Sequence, residues 1–299
     1  MPLLTDDCEQ TNQVWNGCAD VQLSAAAVPG IITRTVRTVR ELTAALADSS
    51  IDHILVAEGS YKLGARLNIT RAVVIEAAVP GKVVLDGQRK CGVLHIEVTT
   101  ANAAVRLIGL TFTKGSTTYG GGVYVFAATT VHFHNCEIVD NQSNSPFGNS
   151  GGGMYISDGT VTITNTSIHA NVADYNGGGL YISGAGTDVT ITGTSIYSND
   201  ADGGTGMLVI DSAKVKIADS KIYSNTAWTG AGVYIYEATV DFQNCEVHDN
   251  KAEFGGGGIY KYSGSITIDD RSTVHDNTLD DCSGWTDPAC GRRPATTPD

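Results

Sequence analysis

The sequence predicts an all-β solenoid, a single-stranded parallel β-helix with a capping helix at its N-terminal end. Three observations lead there. First, an isoleucine or valine stands three places before an asparagine six times: Ile138/Asn141, Ile168/Asn171, Ile196/Asn199, Ile222/Asn225, Val247/Asn250 and Val274/Asn277. The asparagines recur at intervals of 30, 28, 26, 25 and 27 residues. Second, a glycine cluster opens every unit, at Gly120–Gly122, Gly151–Gly153, Gly177–Gly179, Gly203–Gly206, Gly230–Gly232 and Gly255–Gly258. Third, each unit carries two more short runs in which apolar residues alternate with others, such as LYI at 180–182 and VTI at 189–191, the period of a strand. Three strands in about 27 residues describe one coil of a parallel β-helix; a leucine-rich repeat would need a leucine framework and a propeller blade about 40 residues.

The elements follow in order. Residues 1–35 form a polar N-terminal extension in which Cys8 and Cys18 sit close together. Residues 38–48 predict an amphipathic helix with Val39, Leu42, Ala45 and Leu46 on one side and Glu41 in its first turn. Such a helix would cover the open edge of the first coil. The β region opens at 53–63, passes through less regular coils at 73–87, 93–98 and 105–115, and runs in clear coils to 279, so that the β-helix spans 36–279. Residues 280–299 are the C-terminal cap and tail, with Cys282 and Cys290 in the cap and a disordered end expected from Arg292.

Alternation sorts the side chains. Val123, Met154, Leu180, Met207, Val233 and Ile259 should stack inward, as should the pairs from Val131/Phe133 to Ile266/Ile268 on the second strand. The six isoleucines and valines of the asparagine motif form the third wall. The asparagines belong in tight bends, bonding to backbone of their own and neighbouring coils. The glycines belong in a second bend that excludes a Cβ.

Composition narrows the function. The chain has 19 basic and 32 acidic residues, a formal charge of -13, which makes nucleic acid a poor partner. Eleven of the basic residues precede Ser116 and none lies between Ser116 and Asp211. No apolar run reaches the length of a membrane span, and no signal peptide is visible. Paired cysteines near both ends predict disulfides Cys8–Cys18 and Cys282–Cys290 in an oxidising compartment, hence a secreted or cell-surface protein; four free thiols are the alternative. Of the other three, Cys136 and Cys245 share one repeat position but lie four coils apart, about 19 Å, too far to bridge.

The helix followed by ILVAEGSYKL and the coils behind it resemble the right-handed parallel β-helix superfamily that contains pectate lyases and many secreted polysaccharide-processing proteins. The rhythm of glycines, apolar run and IxxN also resembles repeats of bacterial polymorphic surface proteins and autotransporter passenger domains. The resemblance spans about 36–279. It implies architecture first and activity on, or binding of, carbohydrate second.

Two outward ladders are the candidate ligand surface. Tyr124, Tyr155, Tyr181, Tyr234 and Tyr260, with Leu208 among them, follow the inward residue of the first strand. His169, Tyr197, Tyr223, His248 and His275 stand at the third strand. Rings with apolar faces and polar edges suit a flat, extended glycan. Equally, ladders of this kind stabilise a sheet by neighbour stacking. Phe147, in the longest insertion at 141–150, has no core role in the repeat and marks a binding edge.

Catalytic candidates are few. A lyase acting on uronates needs a base and a neutralising cation, Ca²⁺ included. Lys216, with Lys214 and Lys221 nearby, and Asp241 and Asp269 are the residues that approach this need; a solvated charged surface is the competing reading. Asp241 and Asp269 also form the best carboxylate pair for a hydrolase. Arg66, Arg71, Arg89, Lys90 and Arg106 are placed to meet an anionic sugar. His132, His134 and His169 are a sparse metal constellation, and no metal or cofactor is expected outside the lyase reading.

Three functions follow. The first is a non-catalytic secreted or surface β-helix that binds polysaccharide or another surface through its rings. The second is a lyase or related enzyme on an acidic glycan, and the third a purely structural adhesin or shell component. Oligomeric state is not encoded in these features.

Overall fold

The computed structural model describes residues 30–100, 103–126, 130–145 and 150–292. Cys8, Cys18 and Phe147 therefore lie outside the described residues. The β-helix unit begins at Ile32. Its strands stack coil on coil in parallel register, as in Val123↔Met154↔Leu180↔Met207↔Val233↔Ile259. The first two runs of each coil join one sheet of seventeen strands, sheet A, and the third runs make a nine-stranded sheet B. In two coils the first and second runs are one continuous strand, Met154–Thr164 and Leu180–Thr192, with a register shift between Ser157 and Gly159.

Short strands after the asparagine corner form a third face, sheet C, with Gln142–Ser143, Val172–Ala173, Thr226–Thr229 and Lys251–Gly255 among them. Sequence reasoning gave this stretch to the bend alone. Its segments are too short and polar to show a period of two, and only one small residue per coil points inward, as with Ala173, Ala227 and Ala252.

The helix α1 spans Val39–Ala47 and is capped by Thr38, whose Oγ1 accepts from the Glu41 N–H at 3.2 Å; Glu41 in return accepts from the Arg37 N–H at 2.7 Å. Leu42 and Ala45 are buried against the first coil. Arg71 closes the other end, donating to the carbonyls of Ala45, Leu46, Asp48, Ile51 and Ala72. Its guanidinium satisfies helix-terminal acceptors and is not presented to a ligand.

The predicted inward residues fill the core, with one exception. Ile266 and Ile268 are only half-buried, because theirs is the last coil of that strand and no later strand of sheet A covers it. The asparagines form an unbroken ladder. Each amide Nδ2 donates to the Oδ1 of the next coil, at 2.9–3.0 Å from Asn141 through Asn171, Asn199, Asn225 and Asn250 to Asn277, which donates to Asp281. Buried amides are satisfied coil by coil. A second ladder runs beside it. The hydroxyls of Thr166, Thr194 and Ser220 accept the backbone N–H groups of Cys136, Thr166 and Thr194, and Ser272 accepts that of Cys245. Cys136 and Cys245 take the same position as these hydroxyls and donate to the carbonyls of Leu107 and Ile217, both at 3.3 Å.

Cys282 and Cys290 form a disulfide. Arg292 is held against the final coil, donating to the carbonyls of Asp269 and Ser272 at 3.1 and 3.0 Å, which the expectation of disorder from that residue did not foresee; the residues after it lie outside those described. None of the described helices is long and apolar enough to cross a membrane.

Candidate functional site

The two ring ladders differ in geometry. On sheet B, His169, Tyr197, Tyr223, His248 and His275 stack at centroid distances of 4.6, 4.9, 5.2 and 5.5 Å with planes within 3–7° of parallel. Every interior ring spends both faces on its neighbours, leaving only edges to solvent. The histidines are further tied to carboxylates: His169 to Glu137 at 3.2 Å, His248 to Asp249 at 2.7 Å and His275 to Asp276 at 2.9 Å. His275 is buried, which an outward ladder position did not predict.

On sheet A the ladder divides. Tyr155 and Tyr181 stack at 4.8 Å and 7°, and Tyr181 is 1% exposed, against the expectation that it faces solvent. The ring is enclosed along the sheet by Tyr155 on one side and Leu208 on the other. Burial pushes its hydroxyl pKa up, and that of Tyr155 up to about 12. Further along, the rings open. Tyr234 and Tyr260 are tilted by 45°, Tyr236 and Tyr262 by 47°, and Trp228 and Phe254 by 42°, at centroid distances of 5.0, 5.4 and 5.3 Å.

The four tyrosines, but not Trp228 or Phe254, line a groove of about 630 Å³. Three aligned rows build it. Tyr175, Asp202, Trp228 and Phe254 directly precede positions paired between coils and form one row along sheet C, of which Tyr175 and Asp202 line the groove. Across the glycine bend, Tyr181, Leu208, Tyr234 and Tyr260 form the second. Ile210, Tyr236 and Tyr262 form the third. Trp228, Tyr262 and Phe254 are 58, 64 and 69% exposed. The glycines position the second row. Gly230 has φ 65°, and a Cβ there would stand 2.8 Å from the Tyr234 Cβ. Sequence reasoning found the second row but missed the other two. Their signal was present as Tyr175, Trp228 and Phe254 just before three of the glycine clusters and as Tyr236 and Tyr262 two places after Tyr234 and Tyr260, but without sheet C the first has no face to be assigned to.

The structure places two of the three catalytic candidates, Lys216 and Asp241, side by side on adjacent coils. Lys216, Asp241 and Thr267 are aligned as expected. Asp241, however, accepts from Thr267 and from Gln243 at 2.9 Å, while Asp269 accepts from Asn244 of the preceding coil and from Arg271 and Ser272 of its own turn. The two carboxylates are engaged by different partners. Lys221 lies on sheet B and pairs with Glu246 at 2.7 Å. It opens onto a second cleft, about 570 Å³, where Arg271 and Arg292 meet Asp219, Glu246 and Asp270. The N-terminal basic residues are dispersed: Arg66 contacts His95 at 3.3 Å, Arg89 pairs with Asp140, and Arg71 caps the helix. His132 shares a hydrogen bond with Thr162 on sheet A, away from His169 on sheet B. Among the described residues no group of three or more His, Cys, Asp or Glu is arranged to hold a metal.

Residues 94–279 match the family model described as the right handed beta helix region. The chain belongs to the right-handed β-helix family. No curated protein matches this β-helix at a significant level. Among solved structures, that of the pectate lyase Pel9A is similar, with a TM-score of 0.55 and 15% identity over 81% of this chain and 79% of that one. A pectin methylesterase from Aspergillus niger gives a TM-score of 0.50 and 15% identity over 88% and 92% of the two chains. At this identity the likeness is one of fold, which this β-helix shares with carbohydrate-active enzymes.

Proposed function

We propose that this right-handed β-helix is a secreted or surface-displayed protein that binds a polysaccharide lengthwise in the aromatic groove. The observation that carries the reading is the tilt of the Tyr234–Tyr260 and Tyr236–Tyr262 pairs, which leaves aromatic faces open along the groove. Sugar rings pack their apolar faces on such surfaces while polar ring edges accept and donate hydrogen bonds. Coils recur about every 4.8 Å, so four of them offer a platform on the order of 14 Å long. The shared fold with a pectate lyase and a pectin methylesterase supports a carbohydrate as the ligand. The Cys282–Cys290 disulfide supports an oxidising compartment, and the resemblance of the repeats to polymorphic surface proteins and passenger domains makes surface display part of the reading. The test is a titration with a broad panel of soluble polysaccharides, read by tryptophan fluorescence and calorimetry. Saturable binding is expected, and Trp228, next in the chain to Thr229 of the groove lining, is the reporter whose replacement in Trp228→Phe should remove the fluorescence change. Absence of binding to every polymer would overturn the reading.

A second reading is a carbohydrate-active enzyme. It is favoured by the cleft where Lys221, Arg271 and Arg292 meet Asp219, Glu246 and Asp270, since cations next to carboxylates are what proton abstraction beside a uronate carboxyl requires. Incubation with uronate polymers, followed by the absorbance of unsaturated product, tests it; no product over a broad panel would sink it.

A further inference from the structure

The charge around the groove is one-sided. Among the described residues lining it, Asp202 alone is charged. Two further carboxylates stand at its margin. Asp211 accepts from the Ser183 hydroxyl at 2.8 Å, and Glu237 follows Tyr236 in the chain. Both make the Tyr236 hydroxyl harder to ionise, Glu237 the more strongly. Asp211 acts in the same direction on Tyr155 and Tyr181. The basic residues lie elsewhere. Lys261 follows Tyr260 on its strand and pairs with the inward-facing Ile235, and so leaves the face of the tyrosines. Lys251 is offset by Glu253 two residues on. Lys214 and Lys216 belong to the strand beyond the Asp211–Ser212 turn.

We infer that the groove selects glycans without carboxylates, accepting neutral polymers and rejecting polyuronates of the same backbone. The inference rests on the binding reading above and names its ligand class. A polyuronate would bring a carboxylate with every sugar into a groove whose own charges are all acidic, and like charges brought together without a counter-charge oppose association. A neutral chain meets only ring faces and hydrogen-bonding edges. The separation is physical, because the carboxylates and the open ring faces border one channel.

Paired polymers test it: methyl-esterified against de-esterified polygalacturonate, mannan against mannuronan, and cellulose oligomers against their C6-oxidised forms. Each is titrated against the full chain at low ionic strength by calorimetry. In any pair that binds, the neutral member should bind at least about tenfold tighter, and added salt should narrow the gap as the charges are screened. An acidic member binding equally or more tightly would overturn the inference while leaving the groove a glycan site. Failure of all six polymers and of the wider neutral panel would instead overturn the binding reading itself.

Discussion

Asn277 donates its backbone N–H and its amide Nδ2 to one carboxylate oxygen of Asp281, at 3.0 and 2.9 Å. In every earlier coil those two donors meet an asparagine Oδ1. Asp281 therefore ends the ladder by offering the same acceptor without a further amide to satisfy. It stands beside Cys282, whose disulfide to Cys290 ties the cap.

The ladder predicts opposite outcomes for two similar-looking changes. Asp281→Asn keeps the acceptor and should alter stability by less than about 1 kcal/mol. Asn225→Ala removes an acceptor from two donors of Asn199 and a donor from Ile196 O and Asn250 Oδ1. It should cost about 3 kcal/mol or more, at roughly 1–3 kcal/mol per buried orphan. Denaturant unfolding checks both. A mild Asn225→Ala would mean that the ladder is dispensable.

Asp269 predicts acid sensitivity in one window. Burial opposes its ionisation, but hydrogen bonds from the Ser272 hydroxyl, the Asn244 N–H, Arg271 and the Ser272 N–H outweigh it and hold the pKa at about 2. A carboxyl whose pKa is depressed in the folded state stabilises above its unfolded value and loses that contribution as pH falls through the folded one. Melting temperature should therefore drop between about pH 4 and pH 2 through this group, and Asp269→Asn should flatten that part of the profile. An unchanged profile in the variant would remove Asp269 as the cause.

Burial pushes the Cys136 and Cys245 thiols up to about 11. At pH 8 neither should react with iodoacetamide in the folded protein, and both should react once it is unfolded, as mass spectrometry would show. Modification of either in the native state would contradict the packing of that ladder. Serine at both sites should be well tolerated, because Ser220 and Ser272 already hold the equivalent position.

Gly230 links architecture to the groove. Alanine there would take a left-handed backbone and crowd Tyr234, costing about 1–3 kcal/mol, with weaker glycan binding from a displaced ring. Thermal melts and titration together check this; stability lost without any change in binding would separate the glycine from the groove.

Much of this was legible in the sequence because a solenoid repeats its constraints. Ile196 and Asn199 recur at a fixed spacing, so the inner walls and the corner could be placed from one chain. What did not recur stayed hidden. Tyr236 and Tyr262 occupy only two coils, and Trp228 and Phe254 stand on strands too short to be read by period. The depth of Tyr181 depended on its neighbours across coils, not on its place in the repeat. Ring orientation is also absent from sequence: Tyr197 and Tyr260 look equivalent as letters, yet one sits in a closed stack and the other in an open, tilted pair.

That contrast makes the decisive measurement a comparison of two alanine variants by calorimetric titration with a polysaccharide that the native protein binds. Tyr260→Ala, in the groove, should weaken binding at least about tenfold with little loss of stability, since stacking on one aromatic ring contributes about 1–3 kcal/mol in comparable platforms. Tyr223→Ala, in the closed stack of sheet B, should lower the melting temperature and leave affinity unchanged. Loss of affinity in Tyr223→Ala with native binding in Tyr260→Ala would place the ligand on the other face and contradict the account.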